Sequence, residues 1–229
     1  MGKMPHPALT RMVEDYLTLI WKAHEWPGGE PSTTDLAAQL GVTASTVSAN
    51  LKKLARDGHI DYEPYGPISL TDAGRAIAVE IVRRHRIIET YLVEALGLGW
   101  DQVHDEADRL EHAISDLVLD RMDTVLGHPT TDPHGDPIPA ADGTVPADDS
   151  RPLTEITAGT KADIARVSDR SPDVLRYLQD HGITVGTRVR VNDFNPQASM
   201  IEMTVGHKRV VLSLPAAAAV RVRRIPPSA

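Results

Sequence analysis

The stretch STTDLAAQLGVTASTVSANLKKLARDG, residues 32–58, decides the fold. Ser32 with Asp35 three residues on has the spacing of a capping box, and Gly41 is a natural stop, so a short helix is expected between them. Thr43 can cap a second helix over about 44–57, which Gly58 ends. In that helix Val47, Leu51 and Leu54 recur at i, i+4 and i+7 and should face a core. The segment HIDYEPYGPISLT (59–71) alternates on both sides of YGP, as a hairpin does. Two helices across a tight turn, followed by a hairpin, make a winged helix-turn-helix pattern.

The other face of the second helix suits double-stranded DNA. Thr43, Ser45, Ser48 and Ala49 are small, so the start of the helix can approach base edges in a major groove. Thr46, Ser48, Lys53 and Arg56 are placed for phosphates, and Lys52 lies on the same DNA-facing side. Lys52, Lys53 and Arg56 stand against Asp57, so the patch is mildly basic, and a homodimer on two half-sites is the expected binding form. The net charge of −8 argues against a broadly basic surface but leaves a local patch open.

Upstream, Leu9, Met12, Val13, Tyr16, Leu17 and Ile20 predict a helix over about 8–24, ended by WPGGEP (26–31). Downstream, two long helices are expected, over 72–96 up to Gly97 and over 101–126 from Asp101 to Gly127. The proline-rich segment 128–152 reads as a long connection. Beyond it the pattern switches to period two: TRVRVNDF, SMIEMTVGHKRVVLSL and AVRVRRI read as strands, and SPDVLRYLQDHG as a short helix, together a small barrel. The expectation is a mainly α chain with small β content. It comprises a DNA-binding domain (1–74), a helical dimerisation and metal-binding domain with its linker (75–147) and an SH3-like domain (148–229). No apolar run is long enough for a membrane span and the N-terminus lacks an apolar signal core, so a cytoplasmic protein is expected.

The chain has no cysteine and ten histidines, so a bound metal must be held by oxygen and imidazole. VHDEADRLEHAISD (103–116) concentrates such groups. Val103, Ala107, Leu110, Ile114 and Leu117 form an apolar stripe, with His104, Asp108, Glu111, His112 and Ser115 beside it. Acids so placed on a half-buried face repel one another unless a cation intervenes. On the preceding helix His85 and Glu89 lie on or beside the face of Ile81, Ile88 and Leu92, and Asp15 lies near the apolar face of the first helix. This donor set suits Mn²⁺ or Fe²⁺, with Zn²⁺, Co²⁺ and Ni²⁺ as substitutes in vitro. A Mn²⁺-dependent metallohydrolase is the rival from another class. Against it, there is no HExxH, no Gly-rich phosphate loop and no evident nucleophile, so a non-enzyme is expected.

VHDEADRLEH (103–112), RRHRIIE (83–89), LTDAGR (70–75) and DPHGDPIP (132–139), with the order of the parts, resemble the diphtheria toxin repressor family of metal-dependent transcriptional regulators. The resemblance runs essentially end to end. It implies that Asp15, Asp108, Glu111 and His112 bind one ion. It also implies a second site of His85, Glu89 and His104, completed from the barrel near Arg170 and Asp173, with Asp173 as the possible ligand. Iron-responsive members place Met and Cys where this chain has Asp15 and Asp108, so the resemblance points to the manganese branch. Thr18 stands where some manganese regulators have Glu, which favours two separate sites over a paired cluster. The function implied is repression of manganese uptake genes with Mn²⁺ as corepressor; an iron-responsive repressor of the same fold is the alternative.

Overall fold

The computed structural model describes residues 10–26, 29–64 and 66–225. Leu9, the expected helix start at 8, and Pro27, Gly28 and Tyr65 of the two expected turns lie outside these. The chain divides into two compact bodies, one of residues up to 84 with 139–144, the other of 85–138 with 145–229.

The first body holds α1 (Arg11–His24), α2 (Thr33–Leu40), α3 (Ala44–Arg56), β1 (Ile60–Tyr62), β2 (Ile68–Leu70) and the first half of α4 (Asp72–Glu94). Ser32 Oγ accepts from Asp35 N and donates to the Asp35 carboxylate at 2.6 Å, so one side chain pair closes the start of α2. Gly41 ends α2 at φ 64°, a conformation that costs a side-chain-bearing residue energy. Thr43 caps α3 through Thr46 N. Val47, Leu51 and Leu54 are buried with Tyr16, Leu17, Ile20 and Leu36. Asn50 donates to the Tyr16 hydroxyl at 3.1 Å, tying α3 to α1. The hairpin pairs Ile60 with Leu70 and Tyr62 with Ile68, antiparallel.

The second body departs from expectation at two places. First, the helix expected over 101–126 is two: α5 (Val103–Leu110) and α6 (Asp116–Val125). Ser115 has extended backbone and its hydroxyl accepts from Val118 N, so it starts α6 afresh. Of the expected stripe, Val103 and Ala107 are buried with Ile87, Ile88 and Leu92, but Leu110 and Leu117 are exposed, 38% and 68%. The break accounts for Leu117, since one face cannot be continued across it. Second, the segment read as a connection contains a packed turn. Thr131 bridges Pro137, and Asp132 Oδ1 accepts from both His134 N and Asp136 N at 2.9 Å. Asp132, His134, Asp136 and Ile138 are all buried.

C-terminal to that turn, β3 (Arg151–Pro152), β4 (Lys161–Val167), β5 (Arg188–Asn195), β6 (Met200–Val205), β7 (Lys208–Ser213) and β8 (Val220–Arg224) form one sheet in the order β3-β8-β4-β5-β6-β7. All its pairings are antiparallel. Helices α7 (Pro172–Asp180) and α8 (Leu214–Ala218) supply Leu175, Leu178, Ala216 and Ala217 to its core. Trp100, from the α4–α5 connection, is part of the same core, so the metal-candidate helices and the sheet share one body.

Gly135 seats the 132–139 turn on β4. It has φ 85°, and a Cβ there would lie 2.0 Å from the Ala165 carbonyl oxygen. Gly135→Ala therefore combines left-handed strain with a backbone clash and should cost at least about 2 kcal/mol. Urea denaturation checks it; an unchanged midpoint would mean the turn does not pack as described. Among the described residues no helix is long and apolar enough to cross a membrane.

Candidate metal centre

His85 is the hub of the second body. It is buried, and its two ring nitrogens face different groups. Nε2 lies 3.0 Å from Glu89 Oε1 and 3.2 Å from His104 Nδ1. Nδ1 lies 2.7 Å from Glu111 Oε2 and 3.2 Å from Asp108 Oδ1. Glu89 follows His85 by one helical turn on α4, so both point the same way. His104 and Asp108 repeat that spacing on α5, and Glu111 is its C-cap residue.

The groups gather into two sets around this ring. One comprises His85, Glu89, His104 and Asp169, the other His85, Asp108 and Glu111. His104 Nδ1 is 3.3 Å from Glu89 Oε1 and 3.0 Å from Asp169 Oδ2. His112 Nε2 lies 3.2 Å from Glu111 Oε1. Two imidazole nitrogens within 3.2 Å of each other, each also against a carboxylate, cannot all be satisfied by lone pairs alone; a proton or a cation must stand among them. The donor chemistry, imidazole with carboxylate and no sulfur, fits a hard to borderline divalent ion.

Electrostatics agree. Burial alone would raise the Glu89 carboxyl, but His85 first, then His104 and His134, hold it well below the usual carboxylate range. Burial, then Asp136 and Glu89, push Asp132 up to about 8. Burial works against protonation of His134, but Glu89 foremost, with Asp132 and Asp169, raises it to about 10. Without an ion, protons take the places that positive charge favours.

The expected ligand Asp173 stands elsewhere. Its carboxylate is 90% exposed and pairs with Arg176 one turn on in α7, which points it away from the cluster. Asp169, in the turn before α7, stands in the cluster instead, its Oδ2 3.0 Å from His104 Nδ1. Sequence reading reached its neighbour Arg170 but missed it, because a loose alignment across a loop is easily displaced by one residue. Asp132 and His134 also stand beside Glu89, and their sequence signal is a histidine between two aspartates in DPHGDPIP. Asp15 lies half-buried on α1, with Arg11 Nε 3.9 Å from its carboxylate. Thr18 is buried, and its hydroxyl has no hydrogen-bond partner.

Of the residues expected from sequence to face DNA, Thr43, Ser45, Thr46, Ala49, Lys52, Lys53 and Arg56 are exposed and Ser48 is half-buried. The Thr43 hydroxyl lies 2.8 Å from that of Ser45 and 2.9 Å from that of Thr46, a polar cluster at the start of α3.

The sequence matches "Iron dependent repressor, N-terminal DNA binding domain" over 8–68 and "Iron dependent repressor, metal binding and dimerisation domain" over 71–140. A FeoA domain matches 151–224. The iron-dependent repressor IdeR of Mycobacterium tuberculosis is 34% identical, over 95% of this chain and 99% of that protein. The chain belongs to the iron-dependent repressor family. Its fold class is that of the family: an N-terminal helix-turn-helix DNA-binding domain, a helical dimerisation domain and a C-terminal SH3-like domain. The family to which it belongs is one of metal-dependent, DNA-binding transcriptional repressors. The diphtheria toxin repressor of Corynebacterium glutamicum is 30% identical, over 95% of this chain and 98% of that protein. Among solved structures, a manganese-dependent transcriptional repressor in complex with manganese is 45% identical with a TM-score of 0.89, covering 93% of this chain and 100% of that one. The manganese regulator SloR is 27% identical with a TM-score of 0.80, over 93% and 98%.

Proposed function

We propose that this protein is a manganese-responsive repressor, in which Mn²⁺ is the corepressor for operator binding by a homodimer and manganese uptake genes are the target. The observation that carries the metal assignment is the donor set. His85, His104 and His112 stand with Glu89, Asp108, Glu111 and Asp169, in a chain without cysteine. Sulfur-free oxygen and imidazole sites suit manganese better than sites with thiolate or thioether ligands. The 45% identical structure described as manganese-dependent supports the same reading. The reading has two ions per subunit, one at His85, Glu89, His104 and Asp169. The other is at Asp108, Glu111 and His112, and Asp15 is retained as a candidate ligand there on family resemblance alone.

A divalent cation at these groups supplies the positive charge that opposes their mutual repulsion. The residues do the rest. Glu89, Asp108, Glu111 and Asp169 lose less by standing together when the ion is held, so the arrangement that holds it best is favoured. If that arrangement is also the operator-binding one, metal and DNA affinities are coupled reciprocally. Thr43, Ser45, Ser48 and Ala49 then present a small-residue edge to bases, and Thr46, Lys52, Lys53 and Arg56 contact phosphates. Exposed Leu110, Leu117, Val118 and Val125 on α5 and α6 supply an apolar surface for the homodimer. The named relatives are repressors, so no catalytic role is assigned.

A gel-shift titration tests this. Operator binding should tighten at least about tenfold with Mn²⁺ over chelator, the smaller end of ordinary allosteric coupling. Equal affinity in both would sink the reading. Stronger activation by Fe²⁺ than by Mn²⁺ under anaerobic conditions would move it to the iron-responsive alternative, which the 34% identical relative keeps in view.

A further inference from the structure

His134 is fully buried, and no role falls to it in the two sites above. Its Nε2 lies 2.7 Å from the Trp100 carbonyl oxygen. A carbonyl only accepts, so Nε2 carries the proton, and the ring stacks on Trp100 at 5.7 Å with an interplanar angle of 18°. Its backbone N–H is held by Asp132 Oδ1, and its carbonyl accepts from Val167 N of β4. The ring is therefore fixed in place, with Nδ1 aimed at Glu89, where the neighbouring carboxylates favour positive charge, a proton or an ion.

Nδ1 and Glu89 Oε2 are both buried and both without a hydrogen-bond partner. They stand 3.7 Å apart. That separation is too long for a hydrogen bond between nitrogen and oxygen, which lies near about 2.9 Å. It is short for a bridging water, whose two partners sit about 4.5 Å apart at an ordinary tetrahedral angle. It suits two ligands of one ion, each about 2.1 Å from it. Asp132 completes a group of three buried residues whose ligand atoms converge. Oδ1 of Asp132 serves the turn, and Oδ2 is 3.7 Å from Arg86 Nε. A histidine that donates its far N–H to a backbone carbonyl, so that an ion can take the proton's place at the near nitrogen, is in the usual setting of a metal ligand.

We propose that Glu89, Asp132 and His134 form a third divalent-cation site, with Glu89 bridging it to the neighbouring site. Glu89 Oε1 faces His85 and His104, while Oε2 faces His134. The site takes a hard divalent ion such as Mn²⁺, and the 132–139 turn becomes a metal-binding element on the sheet side of α4. This inference rests on the reading of the neighbouring His85–Glu89–His104–Asp169 group as a metal site.

Crystals of the full-length protein grown with Mn²⁺ and measured near the manganese edge test it directly. The expected result is an anomalous peak between His134 Nδ1 and Glu89 Oε2, in addition to peaks at the two sites proposed above. Peaks at those two sites with none at His134 would overturn the third site and leave the function standing. No peak anywhere would overturn both. Native mass spectrometry gives an independent count: three Mn²⁺ per subunit in the wild type and two in His134→Gln. Equal counts in the two proteins would also overturn the proposal.

Discussion

His85→Ala should remove metal-dependent operator binding almost entirely. This one ring serves both ligand sets, Nε2 towards Glu89 and His104 and Nδ1 towards Asp108 and Glu111. Its loss therefore takes a ligand from the first site and, from the second, the ring that stands against Asp108 and Glu111. Losing even an outer-shell partner typically costs 10–100-fold in metal affinity, so loss of a direct ligand of the first site that also supports the second should cost at least about 100-fold, or roughly 2.7 kcal/mol. Mn²⁺ binding by titration calorimetry and Mn²⁺-dependent gel shift should fall together, while metal-independent DNA binding stays as it was. The buried His85 also stands among carboxylates, so part of any change could come from unfolding. His85→Gln, which keeps a polar group of similar size, separates these effects: a folded His85→Gln protein with wild-type Mn²⁺ response would refute the ligand role of His85.

The helix-turn-helix was legible because its signals are local. Ser32, Gly41, Thr43 and Gly58 mark ends within one or two residues of where the helices stop, and Val47, Leu51 and Leu54 show the buried face by spacing alone. His85 and Glu89 were legible for the same reason, being one turn apart on a long helix. Asp169 and His134 were not, because each enters the cluster from a turn whose path depends on tertiary contacts. A period of 3.6 carries no information about such residues. The break between α5 and α6 was missed because the heptad-like apolar pattern continues through Ile114 and Leu117, whereas the Ser115 cap decides against one helix. The exposure of Leu117 then has a physical reading: a pattern that persists beyond the core marks a second apolar surface, here a surface suited to another subunit. The proline-rich segment is a connection without helix or strand, but the burial of its 132–138 turn was not legible, because a buried turn has the same composition as a linker.

Asp136→Ala should be the most destabilising substitution outside the metal sites. Asp136 is buried and accepts from Arg166 Nε at 2.6 Å and from Arg86 Nη2 at 3.2 Å. Arg86 and Arg166 are themselves 1% and 3% exposed. Arg86 also donates to the Pro137 carbonyl at 2.7 Å, and Arg166 to Asp148 at 2.7 Å, so the network joins α4, the 132–139 turn, β4 and the approach to β3. Burying two guanidinium groups is costly, and the carboxylate between them offsets part of that cost for both. Removing one partner of a buried ion pair typically costs 3–5 kcal/mol, because the remaining charge is left in a poor solvent. Here Arg166 keeps Asp148 at 2.7 Å and Arg86 keeps Asp132 at 3.7 Å, so the lower end, about 3 kcal/mol, is expected, with a fall in melting temperature of roughly 5–10 °C. Asp136→Asn should lose less, since its amide oxygen still accepts one hydrogen bond, while the charge compensation goes. Arg86 adjoins His85 in sequence, so a loosened network should also weaken Mn²⁺ binding, by an amount smaller than the loss in His85→Ala. Thermal melts of the metal-free proteins measure the first effect without the second. If Asp136→Ala melts within a degree or two of the wild type, the arginines find other partners, and the turn is held by packing and its backbone hydrogen bonds.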